Sequence, residues 1–260
     1  KFYQTWLDPS MTYSSAIFPT NKSNLKLAQI NKFKQIAKIA EIKDGDKILE
    51  IGCGWGGFFE YALKQYNCNI TATTISKAQY EISKKKLIEL NFKENSNVIM
   101  KDYRDLNGKY DKIISIEMFE AVGEKYWEVF FKKVRNLINK NGIISLQLIT
   151  IDDKVFDSYK NNPDFIQKFI FPGGMLPSLR MLREIINKHS LEIKSIYSFP
   201  NHYAKTLNIW RENFNKSYPK IQKLGFDKKF QRMWNFYLSY CESGFKTKRL
   251  DLKQIKIVPN

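Results

Sequence analysis

An apolar segment that runs directly into a glycine-rich turn constrains the fold of this chain more than any other feature. Lys47–Ile51 has the composition of a short buried strand, and the glycine-rich segment Gly52–Gly57 follows it without a break. A helix-like segment, Phe58–Tyr66, comes next. This order predicts the start of a βαβ unit, in which glycines let a ligand approach the backbone and the helix N-terminus.

Two details around the turn bear on the ligand it would bind. Gly52, Gly54 and Gly57 satisfy the dinucleotide-binding pattern. Proteins of that kind also carry an acid about 20 residues further on, but the next predicted strand, Asn69–Thr74, ends without one. Glu50 instead lies two residues before the first glycine, as in the first motif of S-adenosylmethionine-dependent methyltransferases. We therefore expect an S-adenosylmethionine site, with a turn that binds no ligand as the alternative.

Predicted strands and helices alternate along the first part of the chain. The strands are Lys47–Ile51, Asn69–Thr74, Asn97–Met100, Asp111–Glu117 and Ile143–Ile149, and the helices are Asn24–Ala40, Phe58–Tyr66, Lys77–Leu90 and Lys125–Asn139. The last helix is expected to end at the glycine of Lys140-Asn141-Gly142. Such alternation favours the α/β class, with a mostly parallel sheet flanked by helices. Ligands bind these sheets at the carboxyl ends of the strands, where four polar residues are expected on one rim: Glu50, Thr74, Asp102 and Glu117.

The alternation breaks after Thr150. An apolar, turn-rich loop is predicted in residues 152–178, and the later segments are a strand at Leu191–Phe199, aromatic-rich helices near Ala204–Lys216 and Phe226–Ser243, and a strand at Gln254–Val258. Many of the 19 Phe, 14 Tyr and 5 Trp residues lie in the loop and the late helices. Their concentration outside the predicted sheet suggests a helical, aromatic wall for a long apolar substrate, with ordinary core packing as the alternative.

Composition limits the class and the compartment of the protein. The 260 residues contain no run of 18 apolar residues and no signal-peptide pattern, so neither a transmembrane helix nor secretion is indicated. Three widely spaced cysteines suit neither a disulfide framework nor a metal site and fit a reducing cytoplasm. The net charge of +17 leaves three interpretations open: nucleic acid binding, an anionic membrane surface, or a lysine-rich proteome without functional meaning. The chain begins with Lys1 rather than Met, so we expect further residues upstream.

Eight segments, in order over nearly the whole chain, resemble the cyclopropane-fatty-acyl-phospholipid synthases and the mycolic acid cyclopropane synthases. They are Trp6–Ala16, Leu49–Gly57, Thr74–Gln79, Asp102–Asp105, Met118–Gly123, Phe171–Ser178, His202–Leu207 and Cys241–Phe245. The glycine motif is generic to methyltransferases, whereas Met-Thr-Tyr-Ser, Phe-Pro-Gly-Gly and His-Tyr-Ala are much more specific. The resemblance implies a class I Rossmann-like methyltransferase fold in a single domain. Residues 1–45 would form an N-terminal helical lid segment, residues 46–150 the cofactor-binding core, and residues 151–260 the acyl-binding region and final strands. Many relatives carry an extra N-terminal domain, which this chain lacks or has lost.

The resemblance also implies a reaction and a cofactor site. In this family a methyl group passes from S-adenosylmethionine to the cis double bond of an unsaturated fatty acyl chain of a phospholipid, and loss of a proton from that methyl group closes a cyclopropane ring. Relatives use a bound bicarbonate as the base. The S-adenosylmethionine site would comprise Tyr13, Ser14, Glu50, Gly52, Gly54, Gly56, Thr74, Ile75, Ser76, Gln79, Asp102, Tyr103 and Arg104.

The resemblance further assigns the bicarbonate to a small group of residues, two of which depart from the family pattern. The group is Glu120, Tyr203, Ser15, Gln147 and the backbone of Ile149, and Cys241 matches a cysteine with an assigned catalytic role, packing being the alternative. Ser15 stands where the family usually has Cys, and Gln147 where it usually has His. A hydroxyl and a carboxamide donate hydrogen bonds to an anion, but neither has the titration range of imidazole. A methyl-branched or methylene product is therefore the alternative to the ring.

The expected partners follow from the implied substrate. They are unsaturated phospholipid acyl chains and an anionic membrane surface, which lysines would attract by about 1 kcal/mol per residue. The protein would then be cytoplasmic and peripherally membrane-associated, without nucleic acid, and homodimer formation stays open. Two other interpretations remain: a methyltransferase for a small amine or RNA, although the chain has no recognisable RNA-binding module, and a non-catalytic lipid-binding protein, although the cofactor motifs are intact.

Overall fold

The computed structural model describes residues 1–92 and 96–260, and a seven-stranded sheet organises them. The strands are β1 (Lys47–Ile51), β2 (Asn69–Thr74), β3 (Asn97–Met100), β4 (Tyr110–Ile116), β5 (Ile138–Ile151), β6 (Leu191–Ser198) and β7 (Leu250–Pro259). They lie in the order β3-β2-β1-β4-β5-β7-β6. Among these described strands, β7 alone runs in the opposite direction to the other six, so the predicted mostly parallel α/β sheet is confirmed.

Helices connect the strands and cover the sheet. They are α1 (Leu25–Ile39), α2 (Gly57–Gln65), α3 (Lys77–Glu89), α4 (Trp127–Leu137), α5 (Phe156–Asn161), α6 (Phe165–Phe169), α7 (Leu179–Lys188), α8 (Pro200–Gln222) and α9 (Lys228–Lys246). Several begin at a side chain that accepts a hydrogen bond from the first turn, as Asn24 does for α1 and Asp227 for α9. Across residues 1–92 and 96–260, no helix combines the length and the apolar character needed to cross a membrane.

Alternating residues of the strands pack into apolar clusters on the two faces of the sheet, and a third apolar cluster lies beside them. Ile48 on β1 packs in the cluster formed with α1, α2 and α3, whereas its neighbour Leu49 packs in the cluster formed with α4 and α7. The third cluster joins α8 and α9 to the N-terminal segment around Trp6, and it contains most of the late aromatic residues. The late helices are therefore a packed layer beside the sheet rather than a loose appendage.

The fourth helix ends earlier than predicted. We expected a helix over Lys125–Asn139, but α4 ends at Leu137 and Ile138 begins β5, fully buried and paired with Tyr110. A Cβ on Gly142 would lie 2.6 Å from Ile138 Cδ1 and 2.8 Å from the Asp111 carbonyl oxygen. The glycine therefore permits close packing within the sheet, and it does not end the helix.

The region after β5 has more regular structure than predicted. Residues 152–178 contain α5 and α6, which were not predicted, and the expected turn-rich loop follows them at residues 171–177. Helix α7 comes next and was not predicted either. The short α6 begins with a capping box in which Asp164 and Gln167 exchange hydrogen bonds. Helix α8 extends beyond its predicted range at both ends. Helix α9 begins two residues later than predicted, at Lys228, and ends three residues later, at Lys246.

Candidate active site

Two cavities of similar size meet at the carboxyl ends of the parallel strands. The first, of about 540 Å³, lies over the glycine-rich turn and the ends of β1, β2 and β4. The second, of about 530 Å³, lies between the end of β5 and helices α8 and α9. Tyr13, Glu117 and Ala121 line both cavities. The two spaces therefore share a wall at which groups bound on either side would come together.

The first cavity collects most of the residues predicted to bind the cofactor. All of them line it except Gly56 and Ser76. Those two residues precede helices instead: Gly56, at φ +82°, precedes α2, and Ser76 Oγ accepts a hydrogen bond from the Gln79 N–H at the start of α3. For all thirteen residues a direct contact with the cofactor stays a prediction.

The glycine turn and the end of β1 make the floor of the first cavity. Gly52 has φ +82°, and a Cβ there would lie 2.8 Å from Met118 Cβ, so no larger residue fits without displacement. Glu50 is buried, and its Oε2 has no hydrogen-bond partner. Burial raises the pKa of Glu50 to about 8, against the opposing effect of the Phe59 N–H. The free oxygen is an acceptor suited to a hydroxyl group of a ligand.

The rim of the first cavity is held by short polar contacts. Thr74 Oγ1 donates to Gln79 Oε1 at 2.8 Å, which ties the end of β2 to the first turn of α3. Arg104 donates from Nε and from Nη2 to the two carboxylate oxygens of Asp102, at 2.9 and 2.8 Å. This paired contact fixes the turn that presents Tyr103 to the cavity.

The N-terminal segment closes the first cavity from above and is anchored at several points. Gln29 Nε2 donates to the Ser14 carbonyl at 2.9 Å, and Lys32 Nζ donates to Ser14 Oγ at 2.7 Å. The Lys32 side chain is fully buried, and that burial lowers its pKa to about 7. The Tyr13 and Tyr237 hydroxyls share a hydrogen bond of 2.8 Å, which links the segment to α9. Predicted cofactor residues Tyr13 and Ser14 are thus fixed in place by α1 and α9.

Glu117 is the centre of the hydrogen bonds at the wall that the two cavities share, which we call the junction. Its Oε1 accepts from the Ser15 N–H at 2.9 Å and from Gln147 Nε2 at 2.7 Å, and its Oε2 accepts from the Tyr203 hydroxyl at 2.6 Å. Gln147 is in turn oriented by Gln254 Nε2, which donates to Gln147 Oε1 at 2.8 Å. Burial raises the pKa of Glu117, while Lys32 and the three donors favour its ionised form.

Glu120 lies beside this centre with a different set of contacts. Its Oε1 accepts a hydrogen bond of 2.6 Å from the Ile149 N–H, and its Oε2 is buried without a partner. Burial, and then the charge of Glu117, raise the pKa of Glu120 to about 8. Predicted residues Glu120, Tyr203 and Ile149 are therefore brought together at the second cavity.

Ser15 and Gln147 do not offer their side chains to the second cavity, contrary to our expectation that both would donate to a bound anion. Ser15 Oγ donates to the Ala16 carbonyl, and the Gln147 amide is engaged by Glu117, Gln254 and the Ser15 carbonyl. Neither residue lines either cavity. The physical reason is competition, because the Ala16 carbonyl takes the Ser15 hydroxyl while Glu117 and Gln254 occupy the Gln147 amide.

The second cavity has an aromatic wall. The rings that line it are Tyr13, Tyr159, Phe171, Tyr203, Tyr237, Tyr240 and Phe245. Cys241 also lines it, and burial raises the pKa of this thiol to about 12, which keeps it protonated at neutral pH. His202 lies outside the wall, since its Nδ1 accepts from the Phe18 N–H. A nucleophilic role for Cys241 stays a prediction without a neighbouring base.

Three residues of the junction were not predicted as site residues: Lys32, Glu117 and Gln254. Glu117 was placed only on the rim, yet its position after a strand and three residues before Glu120 was a usable indication. Lys32 falls at helical spacing between the buried residues Ala28 and Ile36, an anomaly that marks a buried cation. Nothing in the sequence around Gln254 indicates its role.

Comparison with known proteins gives the family. The family description "Mycolic acid cyclopropane synthetase" matches residues 1–255. The chain belongs to the mycolic acid cyclopropane synthetase family. The resemblance noted in the sequence motifs is therefore confirmed, and the seven-stranded arrangement is the methyltransferase fold of that family.

Individual relatives and solved structures agree with this assignment. The chain is 35% identical to the tuberculostearic acid methyltransferase UfaA1 of Mycobacterium tuberculosis, over 98% of this chain and 62% of the relative. It is 34% identical to the cyclopropane-fatty-acyl-phospholipid synthase of Escherichia coli, over 97% of this chain and 63% of the relative. The cyclopropane synthase MmaA2 of M. tuberculosis superposes with a TM-score of 0.92 at 28% identity, covering 98% and 93% of the two chains. CmaA1, a mycolic acid cyclopropane synthase solved with SAH and CTAB, gives 0.91 at 27% identity, with coverage of 98% and 93%. The chain spans about two thirds of the length of the first two relatives, at 62% and 63%.

Proposed function

We propose that this chain transfers a methyl group from S-adenosylmethionine to the cis double bond of an unsaturated fatty acyl chain of a phospholipid. The observation that carries the proposal is the shared wall of the two cavities, where Tyr13, Glu117 and Ala121 line both. A methyl donor in the first cavity and an alkene in the second would meet there. Family membership supports the same assignment, since the relatives include fatty acyl methyltransferases and cyclopropane synthases.

The residues of the first cavity fit S-adenosylmethionine. The unpartnered Oε2 of Glu50 is an acceptor for a ribose hydroxyl, and Gly54, where a Cβ would meet no atom within 4 Å, leaves room for a ligand against the backbone. Tyr103 would flank the adenine, while Thr74 and Gln79 would exchange their mutual hydrogen bond for contacts with the ligand. When bound, the cofactor supplies an electrophilic methyl group on a sulfonium centre, and these residues aim it at the junction.

The second cavity fits an acyl chain. Its volume of about 530 Å³ is within the range of ligand pockets, roughly 300–1,000 Å³. Attack of an alkene on a methyl group leaves a carbocation, and aromatic faces stabilise a cation in an otherwise apolar space. Tyr203, which stacks on Phe245 with ring centroids 4.4 Å apart, and Tyr237 provide such faces near the junction.

The product is proposed to be a cyclopropane fatty acid, with a methyl-branched or methylene fatty acid as the second candidate. The engagement of Gln147 by Glu117, where the family usually has a histidine, favours the second candidate. So does the name of the relative UfaA1, a tuberculostearic acid methyltransferase. Both products share the first step, which is formation of the carbon–carbon bond to the methyl group.

A membrane surface is the proposed source of the substrate. Phe165, which lies between the lining residues Asp164 and Ile166 of the second cavity, forms an aromatic patch with Phe169 and Phe236. Phe169 is 63% and Phe236 is 53% exposed. Exposed Lys168 lies on the same short helix, α6, as Phe169. An exposed aromatic group beside positive charge is suited to an anionic bilayer surface, which agrees with the net charge of +17.

The test is incubation of the purified chain with phospholipid vesicles carrying oleoyl chains and with S-adenosylmethionine whose methyl group is trideuterated. Mass spectrometry and NMR of the acyl chains would distinguish the products. Two retained deuterons together with cyclopropyl resonances would establish the ring. Two retained deuterons together with vinylidene resonances would establish a methylene product. Three retained deuterons would establish a methyl branch. Cofactor binding without label in any acyl chain would overturn the proposal and favour an amine or RNA substrate.

A further inference from the structure

The acid–base centre of this chain differs from the one that the family resemblance implies. That resemblance places a bound bicarbonate among Ser15, Glu120, Gln147, the Ile149 N–H and Tyr203. Here the Ile149 N–H donates to Glu120 Oε1, and Tyr203 and Gln147 donate to Glu117. Carboxylates of the chain itself occupy the donors that would hold the anion. The residues present therefore do not fit a bicarbonate in addition.

The backbone at Glu117 supports a functional interpretation of this arrangement. Glu117 has φ +49°, in the left-handed region, immediately after the end of β4. A non-glycine residue in this rare backbone conformation persists only where surrounding contacts fix it. The Glu117 N–H donates to the Gln147 carbonyl at 2.7 Å, and the side chain has three donors of its own. The conformation places a carboxylate where a glycine would leave space.

Glu117 also has the position that a proton acceptor needs. Of the three residues that line both cavities, it alone carries a carboxylate. Its Oε1 already accepts two hydrogen bonds, whereas Oε2 accepts one, from Tyr203. An ionised carboxylate oxygen accepts two, so Oε2 retains one acceptor position.

We propose that the Glu117 carboxylate, in place of a bound bicarbonate, accepts the proton that the transferred methyl group loses. The inference rests on the proposed function. In the reaction the sulfonium–methyl bond breaks, and the alkene π pair forms the bond to the methyl carbon, which leaves a cation on the other alkene carbon. A methyl C–H bond then gives its proton to Glu117 Oε2, and its electron pair closes the three-membered ring. If a hydride shifts first to the cationic carbon, the same electron pair forms a methylene double bond.

Glu117 is better placed for this role than its neighbour Glu120. Glu117 has three donors and the nearby buried Lys32, all of which stabilise its negative charge. Glu120 has one donor and an unpartnered oxygen, so its proton is retained more readily. Two carboxyl groups this close disfavour a second negative charge, and the contacts favour placing the negative charge on Glu117 and the proton on Glu120.

The experiment measures product formation by the full chain in buffer freed of carbon dioxide, with and without added bicarbonate. We expect the wild-type rate to change less than about twofold, because the base belongs to the protein. Glu117→Gly is compatible with the positive φ and removes the carboxylate, so its rate should fall roughly 100-fold. Added bicarbonate should restore it several-fold, since the freed donors would then surround a vacant anion site.

A second variant separates the loss of the base from the loss of structure. Glu117→Gln keeps the volume of the side chain and should lose a similar factor, but bicarbonate should not restore it. Binding of S-adenosylhomocysteine, measured by calorimetry, should stay within about threefold of wild type in both variants. Glu89→Gln, on the exposed face of α3, is the matched charge control and should leave the rate unchanged.

Two outcomes would overturn the inference in distinguishable ways. A wild-type enzyme that forms product only when bicarbonate is supplied would show that the base is the bound anion. Full activity of Glu117→Gln without bicarbonate would show that the carboxylate is dispensable. If the wild-type chain labelled no acyl chain under any condition, the proposed function itself would fail, and this inference with it.

Discussion

The two buried glutamates Glu50 and Glu117 differ in how many hydrogen-bond donors the protein supplies to their carboxyl oxygens. Glu50, in the first cavity (the proposed cofactor side), has one oxygen without any partner. Glu117, on the wall shared with the second cavity (the proposed acyl side), accepts three hydrogen bonds from the chain. An unpaired buried acceptor is costly until a ligand supplies the missing donor, so Glu50 is arranged for an incoming molecule. Glu117 has its donors already. One side of the site is completed by its ligand, and the other is completed by the protein.

The largest expected effect tests the cofactor side. Glu50→Gln keeps the size of the side chain but replaces a carboxyl group that ionises near pH 8 with an amide that stays neutral. A hydrogen bond to a charged group contributes about 1.5–3 kcal/mol, so at about pH 9 the affinity for S-adenosylhomocysteine should fall roughly 10- to 100-fold. Calorimetric titration checks this value, with Glu117→Gln as the contrast that leaves it nearly unchanged. Equal losses of affinity in the two variants would remove the distinction between the sides.

The next effect concerns stability and pH. The pKa of Glu120 is raised to about 8 by burial and by Glu117, so the folded state keeps a proton that the unfolded state loses near its ordinary pKa, about 4.3. Stability should therefore fall as the pH rises from about 5 to 8. Glu120→Gln removes this contribution, and the variant should gain on the order of 2 kcal/mol relative to wild type over that interval.

Denaturant unfolding of both proteins at several pH values measures this difference. Lys32 contributes in the opposite direction to Glu120: its pKa is lowered to about 7, so it destabilises the fold as the pH falls toward that value. The same contribution is present in the variant and in wild type, so it cancels in their difference. A pH-independent difference would show that Glu120 is ionised in the folded protein.

A smaller effect tests the acyl side directly. Tyr203→Phe removes the hydroxyl that donates to Glu117 Oε2 at 2.6 Å while keeping the ring stacked on Phe245. A hydrogen bond to a charged group of this kind should be worth about tenfold in kcat, with S-adenosylhomocysteine affinity unchanged. Single-turnover kinetics and calorimetry provide the two numbers. A change in affinity instead of rate would place Tyr203 on the cofactor side.

The smallest effect tests how the substrate arrives. Phe236→Ser removes an exposed ring from the aromatic patch without altering the lining of either cavity. Binding to anionic vesicles should weaken by about fivefold, as expected for the loss of roughly 1 kcal/mol of buried apolar surface. Vesicle sedimentation measures it, and activity toward a detergent-dispersed substrate should persist. Unchanged sedimentation would exclude this patch as the membrane contact.

The cofactor side could be predicted from the sequence more completely than the acyl side, and the reason is the sequence distance over which each side is assembled. One strand and the turn after it carry Glu50, Gly52 and Gly54. The local sequence pattern and the geometry of parallel sheets therefore predict that these residues lie close together. The wall of the second cavity is drawn from segments more than 100 residues apart. The local sequence pattern does not indicate which residues of such distant segments will contact one another.

The hydrogen bonds of the junction were the least predictable part. The Ser15 N–H and the Gln147 amide both donate to Glu117, and Gln254 orients Gln147, but the sequence does not link these residues to one another. The helix boundary before β5 failed for a similar reason. Gly142 has the appearance of a helix terminator, and its actual role is set by contact with Ile138 and Asp111 across the sheet.

The strand that carries Gln254 has a consequence for how an active molecule comes into being. Of the described strands, β7 is the last to leave the ribosome, yet it lies between β5 and β6 and supplies the pairing of β6. Until it inserts, Gln147 lacks the amide that orients it toward Glu117. During synthesis, the glycine turn and its neighbouring strands are present long before the proton-accepting centre is set. Under the proposed function, methyl transfer would therefore begin only once β7 has paired with its neighbours.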